Sequence, residues 1–479
     1  MASDVRSKGE WFSPPQARQA VRFCQVRSLN TASPGVFSTA GASVAEVFKF
    51  GRLEAFVRDN TEVLPTALGQ RHPRALVSGK RLSEPVEVQF HELLVDVPGG
   101  HLLSVRTFDV PVDVRDATSR SQLVQLMEDA YYEELELCPP LSEDERKQQH
   151  TGIPQSVTDS AEWIHEQLSE VLVEERLAEV HARLSQASDY HQLVFVPFAE
   201  GSGLEFDHFQ RIIYRAELEA VKKYCDIRRP PELNRRPERG AALGPFVSVL
   251  WGQQDYIENC ALLSALLLVS AISTAGGVRD RTHAEIRRLH SDVEDRAPED
   301  RSLVASRREF RARLESLTEQ SRQEDVRLTF AVEGNASIQS VIPSLRVDSY
   351  HQSLYQAMGL QRELDVLRNL ISRLNHSIDA QFRTLESYEQ ALAQSRQRRW
   401  GIVAGFVTVV LAPISVFLAF FGINSPEIKA DQSIFSLSTY LGVYLGILGL
   451  MVLCFAIYLA LGIRDHRAIR AARAEYGNE

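Results

Sequence analysis

The sequence predicts an α/β cytoplasmic domain, an α/β/α sandwich, that leads through a long stalk helix into a two-helix transmembrane hairpin. Three observations carry this reading. Charged residues are missing from Trp400 to Pro426 and again from Gln432 to Ile463. A regular seam of leucine and isoleucine precedes the first of these runs. Upstream, short apolar runs bounded by turn residues alternate with charged stretches of helical period.

The domain comes first in the chain. Val86–Val97 alternates in part, Pro98-Gly99-Gly100 is a strong turn, and an apolar run follows it, which predicts a β-hairpin. His191–Ala199 and Phe246–Leu250 read as buried strands, and Leu328–Gly334 as a last strand before the stalk. Ser160–Gln186 and residues 302–322 have helical period and paired charges. Residues 1–80 show weaker patterns and read as an accessory segment, with the α/β domain over 81–345. No N-terminal signal peptide is visible, and residues 1–45, though rich in Arg and Ser, lack the clean amphipathic pattern of a transit peptide.

Cys260–Val278 is apolar enough to raise the question of a third span. Four Ser/Thr and two Gly dilute it, and an expected buried strand lies just upstream, so it reads as a helix buried in the domain.

The stalk occupies 346–399. Leu360, Leu364, Leu367, Ile371, Leu374, Ile378, Leu385 and Leu392 follow a heptad, and no proline interrupts Pro343 to Pro413. One continuous helix is expected from about Ser349 to Gly422. Its seam calls for other helices, in the same chain or in other subunits.

The hairpin consists of a first span at 400–422, an outer loop at 423–434, a second span at 435–463 and a basic tail at 464–479. Each span exceeds the ~20 residues needed to cross a hydrocarbon core. Arg396, Arg398 and Arg399 precede the hairpin and Arg464, Arg467, Arg470 and Arg473 follow it, so both termini are expected in the cytoplasm and the protein in the inner membrane.

Composition narrows the function. The net charge of −10 disfavours a general nucleic-acid binder, because a phosphate backbone needs a basic face. Cys24, Cys138, Cys225, Cys260 and Cys454 lie far apart, with neither zinc nor disulfide spacing. The sequence contains no phosphate loop, no HExxH and no GxSxG, and no two of its 13 histidines lie three or four apart. The acidic stretch Ser291–Asp300 reads as a solvated loop. An enzyme is not expected, nor a tightly bound cofactor.

The end of the first span carries the most specific signal. Phe421-Gly422-Ile423-Asn424 closes it, and Pro426-Glu427 follows in the loop. With the long helix upstream and the basic tail downstream, this resembles the CorA family of divalent-cation channels, in the Gly-Ile-Asn variant of its ZntB-like branch. The resemblance covers the stalk to the C-terminus. It implies a homopentamer in the lipid bilayer, with the first span lining one pore and Mg2+ or Zn2+ as the transported or regulatory ion. Gly422, Ile423 and Asn424 become the selectivity motif, with Asn424 presenting its amide oxygen to a hydrated ion. Thr408 and Ser415, seven apart, share a helix face as candidate pore-lining residues, although hydroxyls in spans also bond back to their own helix. Glu427 and Asp431 are the outer-loop acids that would concentrate cations. The enlarged N-terminal region leaves an alternative, a CorA-like membrane effector in signalling or defence whose domain senses another ligand.

Overall fold

The computed structural model describes residues 20–32, 42–60, 63–72, 74–78, 86–111, 136–138, 156–169, 190–196, 227–236, 238–294 and 304–422. It also describes isolated positions at 122, 125 and 213 and between 438 and 456. The chain divides into two compact units, Met1–Ile378 and Asp379–Glu479.

Among the described residues, the first unit is built on one mixed sheet of ten strands. They are β1 (Ala20–Ala32), β2 (Ala42–Ser43), β3 (Thr66–Arg71), β4 (Arg74–Ser78), β5 (Val86–Asp96), β6 (His101–Pro111), β7 (Glu136–Cys138), β8 (Tyr190–Val196), β9 (Gly240–Leu243) and β10 (Val247–Trp251). The main order is β2-β3-β5-β6-β1-β8-β10-β9, with β4 on β5 and β7 on β4. Besides its hairpin partner β6, strand β5 serves two further neighbours: Val86–Gln89 pairs β4 and Glu92–Asp96 pairs β3. The β8/β10 pair is parallel and the other pairings are antiparallel.

The expected hairpin is present as β5 and β6, turning at Gly99 with φ +69°. The expected strands at 191–199 and 246–250 are β8 and β10. Two expectations are corrected. Residues 20–78, read as accessory, supply the middle strand and one edge of the sheet, because β1 lies between β6 and β8. Leu328–Gly334 is not a strand: Thr329–Glu333 is a π-helical turn and Gly334–Ala336 a 3-10 turn. Alternation would bury Leu328, Phe330 and Val332 together. Instead Leu328, Ala331 and Val332 are buried at helical spacing, and Phe330 is 72% exposed.

The helices are α1 (Val44–Val47), α2 (Glu54–Asp59), α3 (Ser156–Ser169), α4 (Asp255–Glu294), α5 (Val304–Leu328), α6 (Leu345–Ala357) and α7 (Leu360–Gly422). Helix α3 overlaps the start of the helix expected at Ser160–Gln186; residues 170–189 lie outside the described ones. The charged helix expected at 302–322 is α5.

Helix α4 contains Cys260–Val278. Among the described residues it is the one helix long and apolar enough to cross a membrane, yet 83% of its apolar stretch is buried inside the chain. It packs on β1, β6 and β8 and lies under α6. A helix apolar all round belongs between two layers, and this one is. Two of its hydroxyls meet the hairpin turn: Ser270 Oγ accepts from the His101 backbone N–H at 2.8 Å, and Thr274 Oγ1 lies 3.0 Å from His101 Nδ1. The contact needs Gly100, since a Cβ there would stand 2.0 Å from Ser270 Oγ.

The opposite sheet face carries two apolar clusters. One gathers Phe23, Phe90 and Phe108 with Ile213, and the other joins Leu29, Leu94 and Leu102 to Ile164 and Leu168 of α3. The described residues thus show a mixed-sheet domain with long helices.

The stalk differs from the single helix expected. Helix α6 ends at Ala357, Gly359 turns with φ +71°, and α7 begins at Leu360. The seam from Leu360 to Ile378 is buried in the first unit. Arg279 of α4 bonds Glu363 at 2.7 Å, Ser321 of α5 bonds Asn375 at 2.8 Å, and Glu333 pairs with Arg368. The helices that the seam calls for come from its own chain. Past Ile378 the seam opens: Leu385 is half-buried.

Candidate functional site

The distal half of α7, with helical positions between 438 and 456, makes up the described part of the second unit. Its described positions Trp400, Gly401, Ala404, Val407, Thr408, Leu411, Ser415 and Ala419 recur every three or four residues, so they share one helix face. All are exposed, Val407 by 44% and Leu411 by 53%. Leu441, Leu445, Leu448 and Val452 repeat the pattern at 49–61% exposure.

Thr408 and Ser415 fall on the α7 stripe. Each hydroxyl donates to the carbonyl four residues earlier, Thr408 to Ala404 and Ser415 to Leu411, both at 2.8 Å. This is the back-bonding weighed from sequence. It has a chemical consequence. With its proton committed to the helix, each oxygen faces outward as an acceptor, which suits a ligand that only donates, such as the water shell of a hydrated cation.

Gly422 is the last described residue of α7. Ile423, Asn424, Glu427 and Asp431 lie outside the described residues. The structure therefore puts Thr408 and Ser415 on one face, and the rest of the expected site falls outside the described residues.

The first unit holds buried polar groups that sequence reading missed. Arg22 grips Asp109 through two bonds of 2.8 and 3.1 Å, and its third nitrogen lies 3.9 Å from Glu258. Burial pushes the Glu258 carboxyl up to about 8, against the pull of Arg22. His72 and His91 approach to 2.7 Å through Nδ1, and burial with the neighbouring ring lowers His91 to about 4. On the other sheet face, Glu92 bridges Arg71 at 2.5 Å and Arg106 at 2.8 Å.

His191 Nδ1–H donates to the Pro245 carbonyl at 3.3 Å, so Nε2 accepts from Ser248 Oγ at 2.7 Å. This Ser–His pairing matches a nucleophile and its base in outline. Both residues are fully buried, so the hydroxyl has no route to a substrate.

Between α4, α5 and α7 lies a cleft of about 180 Å³, with Leu317, Ile371 and Leu374 among its lining residues and the Arg281–Glu324 pair among its polar ones. Among the described residues, no group of three or more His, Cys, Asp or Glu could hold a metal ion. The signal for the buried pairs was weak in sequence, since charged residues such as Arg22 and Glu258 normally mark solvent-facing positions.

No protein-family model matches the chain, and no curated protein matches it. Among solved structures, the full-length CmaX protein is similar at 13% identity over 57% of this chain and 90% of that one. The TM-score is 0.21, an overlap too low to carry the fold.

Proposed function

We propose that the chain forms a homo-oligomeric, pentameric channel or transporter for divalent cations, Mg2+ or Zn2+, in the inner membrane. The distal half of α7 lines the pore, the sheet domain gates it, and both termini face the cytoplasm. One observation carries this reading: Gly422-Ile423-Asn424 follows directly on a helix whose described face is apolar but for Thr408 and Ser415. Five Asn424 side chains around an axis offer neutral carbonyl dipoles to a hydrated ion, holding it without trapping it as carboxylates would. Thr408 and Ser415 add two rings of outward-facing acceptors. A divalent ion entering an inside-negative cell gains about 4–5 kcal/mol per 100 mV, so uptake requires no nucleotide site.

Metal uptake into a transport-deficient host, with Mg2+ and Zn2+ supplied separately, tests the reading. Asn424→Gly preserves a helix-end turn and removes the amide, so expression and oligomer size should hold while flux is lost or becomes unselective. Flux equal to the parent's would make Asn424 a cap and sink the channel reading. The alternative, a membrane effector in signalling or defence, draws on the size of the first unit, Met1–Ile378. It predicts membrane damage on ligand binding and no complementation of metal uptake.

A further inference from the structure

We infer that the cleft between α4, α5 and α7 binds a small uncharged aromatic ligand that carries one hydrogen-bond donor, of the phenol or indole class. Its apolar wall is Leu317 of α5 with Ile371 and Leu374 of α7, all three buried.

Volume sets the size of the occupant. The cleft measures about 180 Å³. A cavity of about 150 Å³ walled by Leu, Ile and Phe takes benzene. This one therefore accommodates a single ring with a substituent, or two small fused rings. Water against such a wall lacks partners, so an apolar ring that displaces it gains affinity.

Charge sets the next constraint. The charged residues of the lining are Arg281, Glu285 and Glu324. Arg281 grips Glu324 through two bonds of 2.7 and 2.9 Å, and Glu285 accepts from Arg288 at 2.7 Å. Each charge already has an opposite partner. An ionic ligand would bring an uncompensated charge onto an apolar wall, at a cost that a neutral one avoids.

The buried hydroxyls choose between donor and acceptor. Thr282 Oγ1 donates to the Val278 carbonyl and Ser321 Oγ to Asn375 Oδ1, both at 2.8 Å. With their protons committed, the two oxygens offer only lone pairs. The donors of the lining, Arg281 and Gln320, are exposed instead. The buried part of the cleft thus matches an O–H or N–H carried on a ring.

An occupant would touch three helices at once. Ile371 and Leu374 lie within two turns of Ile378, where the first unit ends, so the ligand would fasten the base of α7 to α4 and α5. This gives the first unit a chemical input through α7. The inference does not depend on the pore reading, and its test involves no transport.

The test is calorimetric titration of indole into the full chain in detergent, with a detergent blank to remove partitioning into micelles. The parent should give a saturable one-site isotherm with a dissociation constant of about 0.01–1 mM. Phenol should compete; benzoate, which is charged, should not. Thr282→Val with Ser321→Ala removes both acceptors and should weaken indole about three- to tenfold. 1-Methylindole keeps the ring and lacks the N–H, so parent and double variant should bind it alike. Absence of saturable indole binding by the parent overturns the inference. So does benzoate competing as well as phenol, parent-like indole affinity in the double variant, or an equal loss for 1-methylindole. Should the double variant not fold, the single variants decide, and at least one must show the loss.

Discussion

Two apolar helices in this chain have opposite fates. Cys260–Val278 of α4 is enclosed by the sheet on one side and α6 on the other, while Trp400, Val407, Thr408, Leu411 and Ser415 on the described face of α7 are exposed. Hydropathy alone does not separate them. What does is the placement of hydroxyls and small residues. On α4, Ser270 and Thr274 meet His101 in a turn that lies 169 and 173 residues away in sequence. On α7, Thr408 and Ser415 satisfy themselves on their own helix. Thr274 also bonds back to the Ser270 carbonyl at 2.9 Å, so back-bonding is common to both helices, and the added reach of Ser270 and Thr274 to His101 is what marks α4 as a core helix.

The contrast breaks most completely by charging the enclosed helix. Leu266→Asp buries a carboxylate without a partner, at more than about 4 kcal/mol, and the first unit should not fold. Limited proteolysis would show no protected fragment. Leu367→Asp with Leu374→Asp attacks the seam. Because Leu367 and Leu374 are buried in the chain's own core, the cooperative thermal transition should vanish, at a cost of several kcal/mol. Loss of oligomer with an intact transition would place the seam between subunits instead.

A smaller perturbation tests the fit of α4 to the hairpin. Gly100→Ala should destabilise by about 1–3 kcal/mol, with part recovered in Gly100→Ala/Ser270→Ala, since the obstructing atom is Ser270 Oγ. The residual loss comes from the missing bond to the His101 N–H.

Stability should also vary with pH. Glu258 holds a proton up to about 8 in the folded chain but only to about 4.5 when unfolded, so folding binds a proton and stability falls as pH rises between these values. His91, His191 and His351 act oppositely. Each drops from 6.5 to about 4 on folding, so stability is full above 6.5 and is lost as pH falls toward 4. The curve should peak near 6.5 and decline by up to about 1 kcal/mol per pH unit on the alkaline side. Glu258→Gln should flatten that alkaline limb; an unchanged slope would mean the carboxyl is ionised in the fold. Arg281→Ala removes an ion pair to Glu324 from a side chain that is 48% exposed, and should shift stability by less than about 1 kcal/mol.

Much of the sheet was legible because its signals are local. Pro98-Gly99-Gly100 sets a turn, and β8 and β10 are short apolar runs with nothing else to become. The enclosure of α4 was legible from its diluting hydroxyls. Strand β1 was not, because Arg22 and Arg27 break its apolar pattern, and the partner that makes Arg22 tolerable, Asp109, lies 87 residues away. Leu328–Gly334 misled through β-branched and aromatic residues that the packing of α4 turns into a helical pattern. The break at Gly359 was hidden inside an otherwise regular seam. Of the candidate pore site, the shared face of Thr408 and Ser415 follows from seven-residue spacing alone.

The chain order of the sheet matters during synthesis. Helix α4 leaves the ribosome well before α7, and a nascent apolar segment of that length invites capture by the membrane-insertion machinery. Strands β1, β6 and β8, on which it docks, all precede residue 255, as do β9 and β10. The receiving surface is therefore already outside the exit tunnel when Cys260 emerges, and the helix can be withdrawn into the sheet before it is mistaken for a membrane anchor.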